Sequence, residues 1–398
     1  MCVFEPSQIN STRIDNRVLR AATFEGMSDH AGVPSRDYVE HYRRLAEQAP
    51  GGIITGFTYV RNDGRAAQPG QAGIESDEKI PAFREVTNAV HASGCPIFLQ
   101  LAHAGRQSWP AMTGGTTWCP SAVRSDYFKN RPACLSPDRI ESIITDFGRA
   151  ARRAREAGFD GVQVHAAHGY LIHQFIHPAV NRRRDAFGAD SRTGIGTLFL
   201  KRVFQAIRVR CGSDFPVLVK ISANDGLRPR FTPRHFDHLI AFLNQSPVDA
   251  IEISCGTMEM PLNIFRGASL PIGRILRFNP RYGSEQAWRR ALLRLVVSLI
   301  VRYRAVPFRP AYNLRWARRA RGFTEKPLIS VGGFNSGPVI KRALKEGYTD
   351  YVAICRAFIR EPDFINKLRH SSCHVSSCRL CNMCAVMCDT PGSTLCRN

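Results

Sequence analysis

Gly161-Val162-Gln163-Val164-His165-Ala166-Ala167-His168-Gly169-Tyr170 reads as a short strand running into a loop. Val162 and Val164 alternate with Gly161 and Gln163, the period of two expected of a strand. Polar donors follow at once: His165, His168 and Tyr170, with Gly169 beside them. A strand whose carboxyl end opens onto a cluster of donors marks a substrate-facing site. A single histidine in such a place is usually a satisfied core or surface group. Three donors between residues 165 and 170 are harder to explain that way.

Outward from this stretch, apolar β-branched runs recur at 16–22, 52–55, 95–101, 216–221, 250–254, 327–331 and 351–354. Helices are predicted between them: at 35–48 with Ser35 as N-cap, at 78–93, and from Ser136-Pro137-Asp138 to Ala157. Others end near Cys211-Gly212 or lie at 232–244, 337–346 and 361–369. Eight strands alternating with helices predict an α/β fold, a (β/α)₈ TIM barrel over residues 1–370. Residues 371–398 form a short Cys-rich tail, set off by composition. Two insertions stand out. A polar excursion over 103–135 is long enough to be functional. A basic amphipathic helix over 284–304 places Trp288, Leu292, Leu295, Val296, Leu299 and Ile300 among arginines. It is expected to pack on its own barrel, with a membrane surface or a partner subunit as the other options.

The 398 residues suit one barrel with insertions, and a hydrophobic content of 44% supplies a large core. Lys and Arg number 55 against 33 Asp and Glu, a net charge of +22. The basic residues are scattered, with clusters at Arg182-Arg183-Arg184 and across 302–321, and no nucleic-acid motif accompanies them. The expectation is a solvated basic surface that attracts phosphorylated ligands, not nucleic-acid binding. Residues 1–20 contain no apolar leader, and the longest apolar stretch, near 291–301, is broken by Arg294 and Ser298. No integral membrane segment is expected, and the reading is a soluble cytoplasmic protein. Of 13 cysteines, six fall within 373–396; the rest show no pairing rhythm, as in a reducing compartment.

In a barrel, strand carboxyl ends and the following loops carry the chemistry. Those positions hold Ala21, Ala22, Thr23 and Phe24; Gly56 and Phe57; Gln100, His103 and Arg106; His165, His168 and Tyr170; Lys220; Gly332-Gly333; and Cys355-Arg356. Backbone amides after the Gly pair, with Arg356 beside them, favour a phosphate. A phosphate near Gln100 and Lys220 points to FMN. The amide suits the pyrimidine edge of the flavin, and the ammonium suits the charge that builds there on reduction.

Several motifs carry a family resemblance. They are Gln100-Leu101-Ala102-His103-Ala104-Gly105-Arg106; residues 157–171, which contain the opening stretch; Asn181-Arg182-Arg183-Arg184-Asp185; and Val331-Gly332-Gly333. With these the chain resembles the old yellow enzyme family of FMN-dependent oxidoreductases, also called the NADH:flavin oxidoreductase/NADH oxidase family, over about 4–368. The resemblance implies FMN against Ala21, Ala22, Thr23, Phe24, Phe57 and Gln100, Lys220 at its N1 side, and a phosphate held by Gly332, Gly333, Cys355 and Arg356. It implies that His165 and His168 bind the carbonyl oxygen of an α,β-unsaturated substrate and that Tyr170 protonates its α-carbon. NAD(P)H would be the reductant, in a ping-pong cycle.

The tail resembles the start of an iron–sulfur site in longer members. Cys378, Cys381, Cys384 and Cys396 give C-x₂-C-x₂-C-x₁₁-C, which suits a [4Fe–4S] cluster, with zinc or plain reduced thiols as alternatives. The sequence departs from the family at Phe24, at Phe187-Gly188-Ala189-Asp190, at Gly194 and at Cys355, which replaces a glycine. The expected activity is NAD(P)H-driven reduction of enone C=C bonds. The alternatives are an iron–sulfur flavoenzyme fed by a partner, or a weakly catalytic flavin- or phosphate-binding barrel acting through its surface. A homo-oligomer is left open.

Overall fold

The fold comes from a computed structural model that describes residues 2–224, 226–227, 229–267, 270–279, 286–304, 306–390 and 393–397. Eight parallel strands close into a barrel: β1 Val18–Arg20, β2 Gly52–Ile54, β3 Ile97–Ala102, β4 Gly161–Ala166, β5 Val217–Ser222, β6 Ala250–Ser254, β7 Leu328–Val331 and β8 Tyr351–Ile354. Each pairs with its neighbour in chain order, and β8 pairs with β1, so the barrel closes as predicted. The surrounding helices are α1 Arg36–Ala46, α2 Ile80–His91, α3 Pro137–Glu156, α4 Leu198–Cys211, α5 Pro233–Asn244, α6 Leu314–Arg321, α7 Gly337–Lys345, α8 Arg356–Arg360 and α9 Phe364–His370. Ser35 and Ser136 cap α1 and α3 by accepting from the amides of Tyr38 and Arg139. Each such cap is worth about 1 kcal/mol. The helix expected over 361–369 is α9; the short α8, which starts directly after β8, was not expected.

Alternation along the strands sorts two cores. Outward residues such as Val162, Val164 and Val219 pack on the helices, with Phe147 and Phe204 among their neighbours. Inward, Leu19, Ile54, Phe98, Leu218, Ile329 and Tyr351 fill the amino-terminal half of the barrel. A hairpin of Ser7–Ile9 and Thr12–Ile14, unforeseen from the sequence, closes that end with Ile9 and Ile14. Burying one such side chain stabilises by about 1.5–3 kcal/mol. The dry, sealed base leaves the carboxyl ends of the strands as the polar mouth.

Strand β4 runs on to Ala166, past the valine alternation. His165 is therefore a strand residue, in register with Lys220 of β5, and not part of a loop.

The inserted helix spans Ala287–Arg304; residues 284–285 of the predicted segment lie outside the described residues. Among the described residues its main packing partner is not the barrel, the partner expected from the sequence. It lies against the short helix Ile272–Phe278, and Trp288, Leu292, Leu295, Val296 and Leu299 are 43% to 62% exposed. No helix among the described residues is long and apolar enough to cross a membrane.

The tail is bound along the barrel. The Ser376 amide donates to the Asn335 carbonyl at 2.8 Å, and the Thr394 amide donates to the Glu25 carbonyl at 2.8 Å. Asn382 accepts from Arg356 at 3.0 Å and donates to the Phe265 carbonyl at 3.2 Å.

Candidate active site

The barrel mouth holds a cavity of about 270 Å³. Its floor is a buried polar layer. Gln100 on β3 donates to Gln163 on β4 at 2.6 Å, and Gln163 donates to Glu252 on β6 at 2.7 Å. Lys220 on β5 stands 2.9 Å from the other oxygen of Glu252. The pairing register sets this up, placing Gln100 opposite Gln163 and Lys220 opposite Glu252. A buried ion pair holds only when both charges are compensated, as here. Lys220 thus offers oriented N–H donors, with its charge already balanced by Glu252.

Above this layer, His165, His168 and Tyr170 converge. The ring centroids of His165 and His168 are 5.0 Å apart, and those of His165 and Tyr170 are 5.1 Å apart and near perpendicular. Phe57 approaches Tyr170 at 5.3 Å. The His168 amide donates to Ser222 Oγ at 3.0 Å, its ring meets Ser254 Oγ at 2.9 Å, and its carbonyl accepts from Met258. These contacts hold His168 at a φ of 59°, a left-handed conformation that costs a non-glycine residue energy and recurs at functional sites. Gly169 follows with a φ of 83°, and a Cβ there would meet Thr257 Oγ1 at 2.3 Å.

Burial, reinforced by the Lys220 charge, holds the His165 pKa well below the usual imidazole range. Burial, then His165 and Lys220, do the same for His168. Both rings are neutral at physiological pH. Burial and the nearby Asp389 push the Tyr170 phenol up, so it stays protonated. His165 Nδ1 is buried and has no hydrogen-bond partner among the described residues.

Every residue expected to hold the flavin lines this cavity: Ala21, Ala22, Thr23, Phe24, Phe57, Gln100, Lys220, Gly332, Gly333, Cys355 and Arg356. Gly332 and Gly333 turn at φ of 119° and 84° after β7, where a side chain at Gly333 would strike the Arg309 carbonyl at 2.5 Å. Cys355 accepts from Thr23 Oγ1 at 3.1 Å. An amide, a neutral-paired ammonium, aromatic rings at Phe24 and Phe57, and a Gly-Gly turn with Arg356 fit a flavin nucleotide in edge, face and phosphate.

Three residues read as pocket candidates lie elsewhere. Gly56 is packed on Glu25, with its amide donating to the Glu25 carboxylate at 2.6 Å. His103 is fully buried and faces Asp63 at 3.5 Å. Arg106 is taken up by the carbonyls of Val123 and Arg124 and by Glu259 at 3.2 Å. Glu259 also accepts from Gln107 and from the amides of Asp126 and Tyr127, tying the 103–135 excursion to the loop after β6.

Sequence reading missed Glu252, Ser254, Tyr312 and Asp389. Glu252 had a signal, a carboxylate between two isoleucines inside a strand. Tyr312 and Asp389 come from an insertion and from the tail, where no periodicity points inward.

The tail contributes Cys378, Cys384 and Cys388 to the same cavity wall. A smaller cavity of about 30 Å³ next to it is lined by Cys378, Cys381, Cys384 and Cys396, with Arg356 on its border. Burial pushes the Cys384 thiol up to about 12. No three His, Cys, Asp or Glu side chains among the described residues are grouped closely enough for a single metal ion.

Known proteins resemble this chain in sequence and in fold. The 4,4'-dithiodibutanoate disulfide reductase of Rhodococcus erythropolis is 28% identical over 387 residues, covering 96% of this chain and 92% of that protein. The metal reductase of Desulforamulus reducens is 28% identical over 391 residues, 97% of this chain; the chain spans only 51% of that relative's length. The structure of the old yellow enzyme homologue from Zymomonas mobilis superposes with a TM-score of 0.73 at 22% identity, covering 95% of each chain. The NADH:flavin oxidoreductase / NADH oxidase family matches residues 2–257 and 284–373. The match runs over most of the chain and the barrel superposes, and the chain belongs to this family, the old yellow enzyme family of FMN-dependent NAD(P)H oxidoreductases.

Proposed function

We propose that the protein reduces the C=C bond of α,β-unsaturated carbonyl compounds with NAD(P)H. The observation that carries this reading is the convergence of His165, His168 and Tyr170 on the cavity that the flavin-binding candidates also line. When bound, FMN would supply the redox chemistry, hydride transfer between NAD(P)H and substrate. Gln100 and Lys220 would hold its polar edge, and Gly332, Gly333 and Arg356 its phosphate. Cys355, in place of the family's glycine, adds a side chain at that phosphate end. His165 and His168, as neutral donors, hold the carbonyl oxygen and draw electron density from the β-carbon. Tyr170, kept protonated by burial, delivers the proton to the α-carbon.

The test is spectroscopic. Purified protein should be yellow, bleach with NAD(P)H and recover on addition of an enone such as cyclohexenone. A dithiodibutanoate disulfide, the acceptor type named for the Rhodococcus relative, is the comparison acceptor. A colourless protein that takes up no FMN overturns the reading, and recovery with the disulfide alone replaces the enone as acceptor.

A second reading is favoured by the cavity that Cys378, Cys381, Cys384 and Cys396 line together. These thiols would hold a [4Fe–4S] cluster, which would supply one-electron transfer beside the flavin. Protein purified without oxygen would then carry a broad brown shoulder as well as the flavin bands.

A further inference from the structure

Beside the flavin cavity lies a wider cleft of about 1470 Å³. Arg124, Arg182, Arg230, Arg266, Arg309 and Arg315 line it, against two carboxylates, Asp126 and Glu259. Glu259 is already engaged by Arg106, Gln107 and two amides. Arg266 lies over the Tyr312 ring at 4.0 Å and Arg315 over Trp316 at 5.4 Å. The side chains of Arg124, Arg182, Arg230 and Arg309 are exposed and meet no carboxylate among the described residues. These four guanidinium charges, with no carboxylate partner among the described residues, stand on a concave surface. Such a surface focuses its field, and guanidinium forks suit phosphate oxygens.

The Arg182-Arg183-Arg184 cluster divides along the same line. Arg183 is a structural staple, bound to Asp185 and to the Pro120 and Leu135 carbonyls. Arg182 faces the cleft.

The cleft adjoins the reaction site. Tyr312 lines both, and one loop forms the partition: Met260 and Asn263 line the cleft, Pro261 and Ile264 the flavin cavity. We infer that the cleft binds the phosphorylated tail of a molecule whose reactive end reaches the flavin cavity. The inference rests on the proposed function only for where that reactive end lies. Two molecules could bring such a tail: a phosphorylated reductant, NADPH, or a substrate esterified to a phosphorylated carrier thiol, an acyl-CoA thioester.

The experiment compares the wild-type holoprotein with Arg124→Ala/Arg230→Ala and with Arg182→Ala. Calorimetric titration with pyrophosphate at low salt reads the cleft without turnover. Kinetics then give two KM ratios: NADPH against NADH, and an enoyl-CoA against the same enoyl group on N-acetylcysteamine. Pyrophosphate binding should weaken at least tenfold in the variants, and one ratio should move at least tenfold against the phosphate-bearing partner. The ratio that moves names the source. Pyrophosphate binding that is absent or equal in all proteins overturns the inference, as do two unmoved ratios. Should the holoprotein show no flavin reduction, the proposed function fails, and the pyrophosphate titration alone decides the cleft.

Discussion

The barrel mouth and the carboxy-terminal tail wall the same cavity, yet they are held by different means. The mouth hangs on eight paired strands, and its polar residues are fixed by register, as Lys220 is against both His165 and Glu252. The tail is held by scattered side-chain and loop contacts, Ser376 to Asn335, His374 and Ser376 to Glu361, Asn382 to Arg356 and Phe265, and Thr394 to Glu25, with no shared strand register. The mouth should therefore respond to mutation as one cooperative unit, whereas the tail should tolerate change without loss of the barrel.

The sharpest break in that comparison is Lys220→Met. It leaves Glu252 charged and fully buried, which should destabilise the barrel by about 3–5 kcal/mol in denaturant unfolding. Lys220→Met with Glu252→Gln should recover much of the loss; equal instability of single and double variants would refute the pairing. Next is Glu25, where the tail meets the mouth. Burial, opposed by the Gly56 amide and Arg20, raises its pKa from 4.5 to about 7. At this group the folded state then binds more protons than the unfolded state between those values, so the Glu25 contribution to stability is greatest below pH 4.5 and falls as pH rises to 7. The integrated loss is about 3 kcal/mol. Glu25→Gln should flatten this limb, and an unchanged pH profile would rule Glu25 out as its origin.

Tyr170→Phe should slow enone reduction about 100-fold, the scale of one general acid. Flavin reduction by NAD(P)H should be spared, as stopped-flow of the two half-reactions will read; equal losses would remove the proton-donor role. The smallest effect on the barrel belongs to Cys381→Ser. It should abolish any brown shoulder while melting temperature and flavin content hold within error. A simultaneous loss of flavin would show that the tail is as integral to the mouth as the strands.

This division also explains what could be read from the sequence. Strands β1 to β8 and the caps at Ser35 and Ser136 were legible because short-range patterns encode them. The site residues were legible where they sit at strand ends, as His165, Lys220 and Gly333 do. His103 and Arg106 sit just beyond β3 but turn away, toward Asp63 and Glu259, a choice made by distant partners. The apolar face of the helix Ala287–Arg304 was expected to find the barrel, and periodicity alone does not say what a face packs on. Tyr312 and Asp389 reach the mouth from irregular segments, and the plugging hairpin packs through Ile9 and Ile14, two side chains in a stretch too short for a pattern.

The buried layer under the mouth also has a direction. Glu252 can only accept, so Gln163 must turn its NH₂ toward it and its carbonyl toward Gln100. Gln100 must then spend one N–H on Gln163, which leaves its carbonyl oxygen and its second N–H for a ligand in the cavity. A carboxylate on β6 thus sets the hydrogen-bond polarity that β3 presents across the barrel. Replacing it with an amide would let both glutamines flip and would erase the distinction between donor and acceptor at the cofactor's edge.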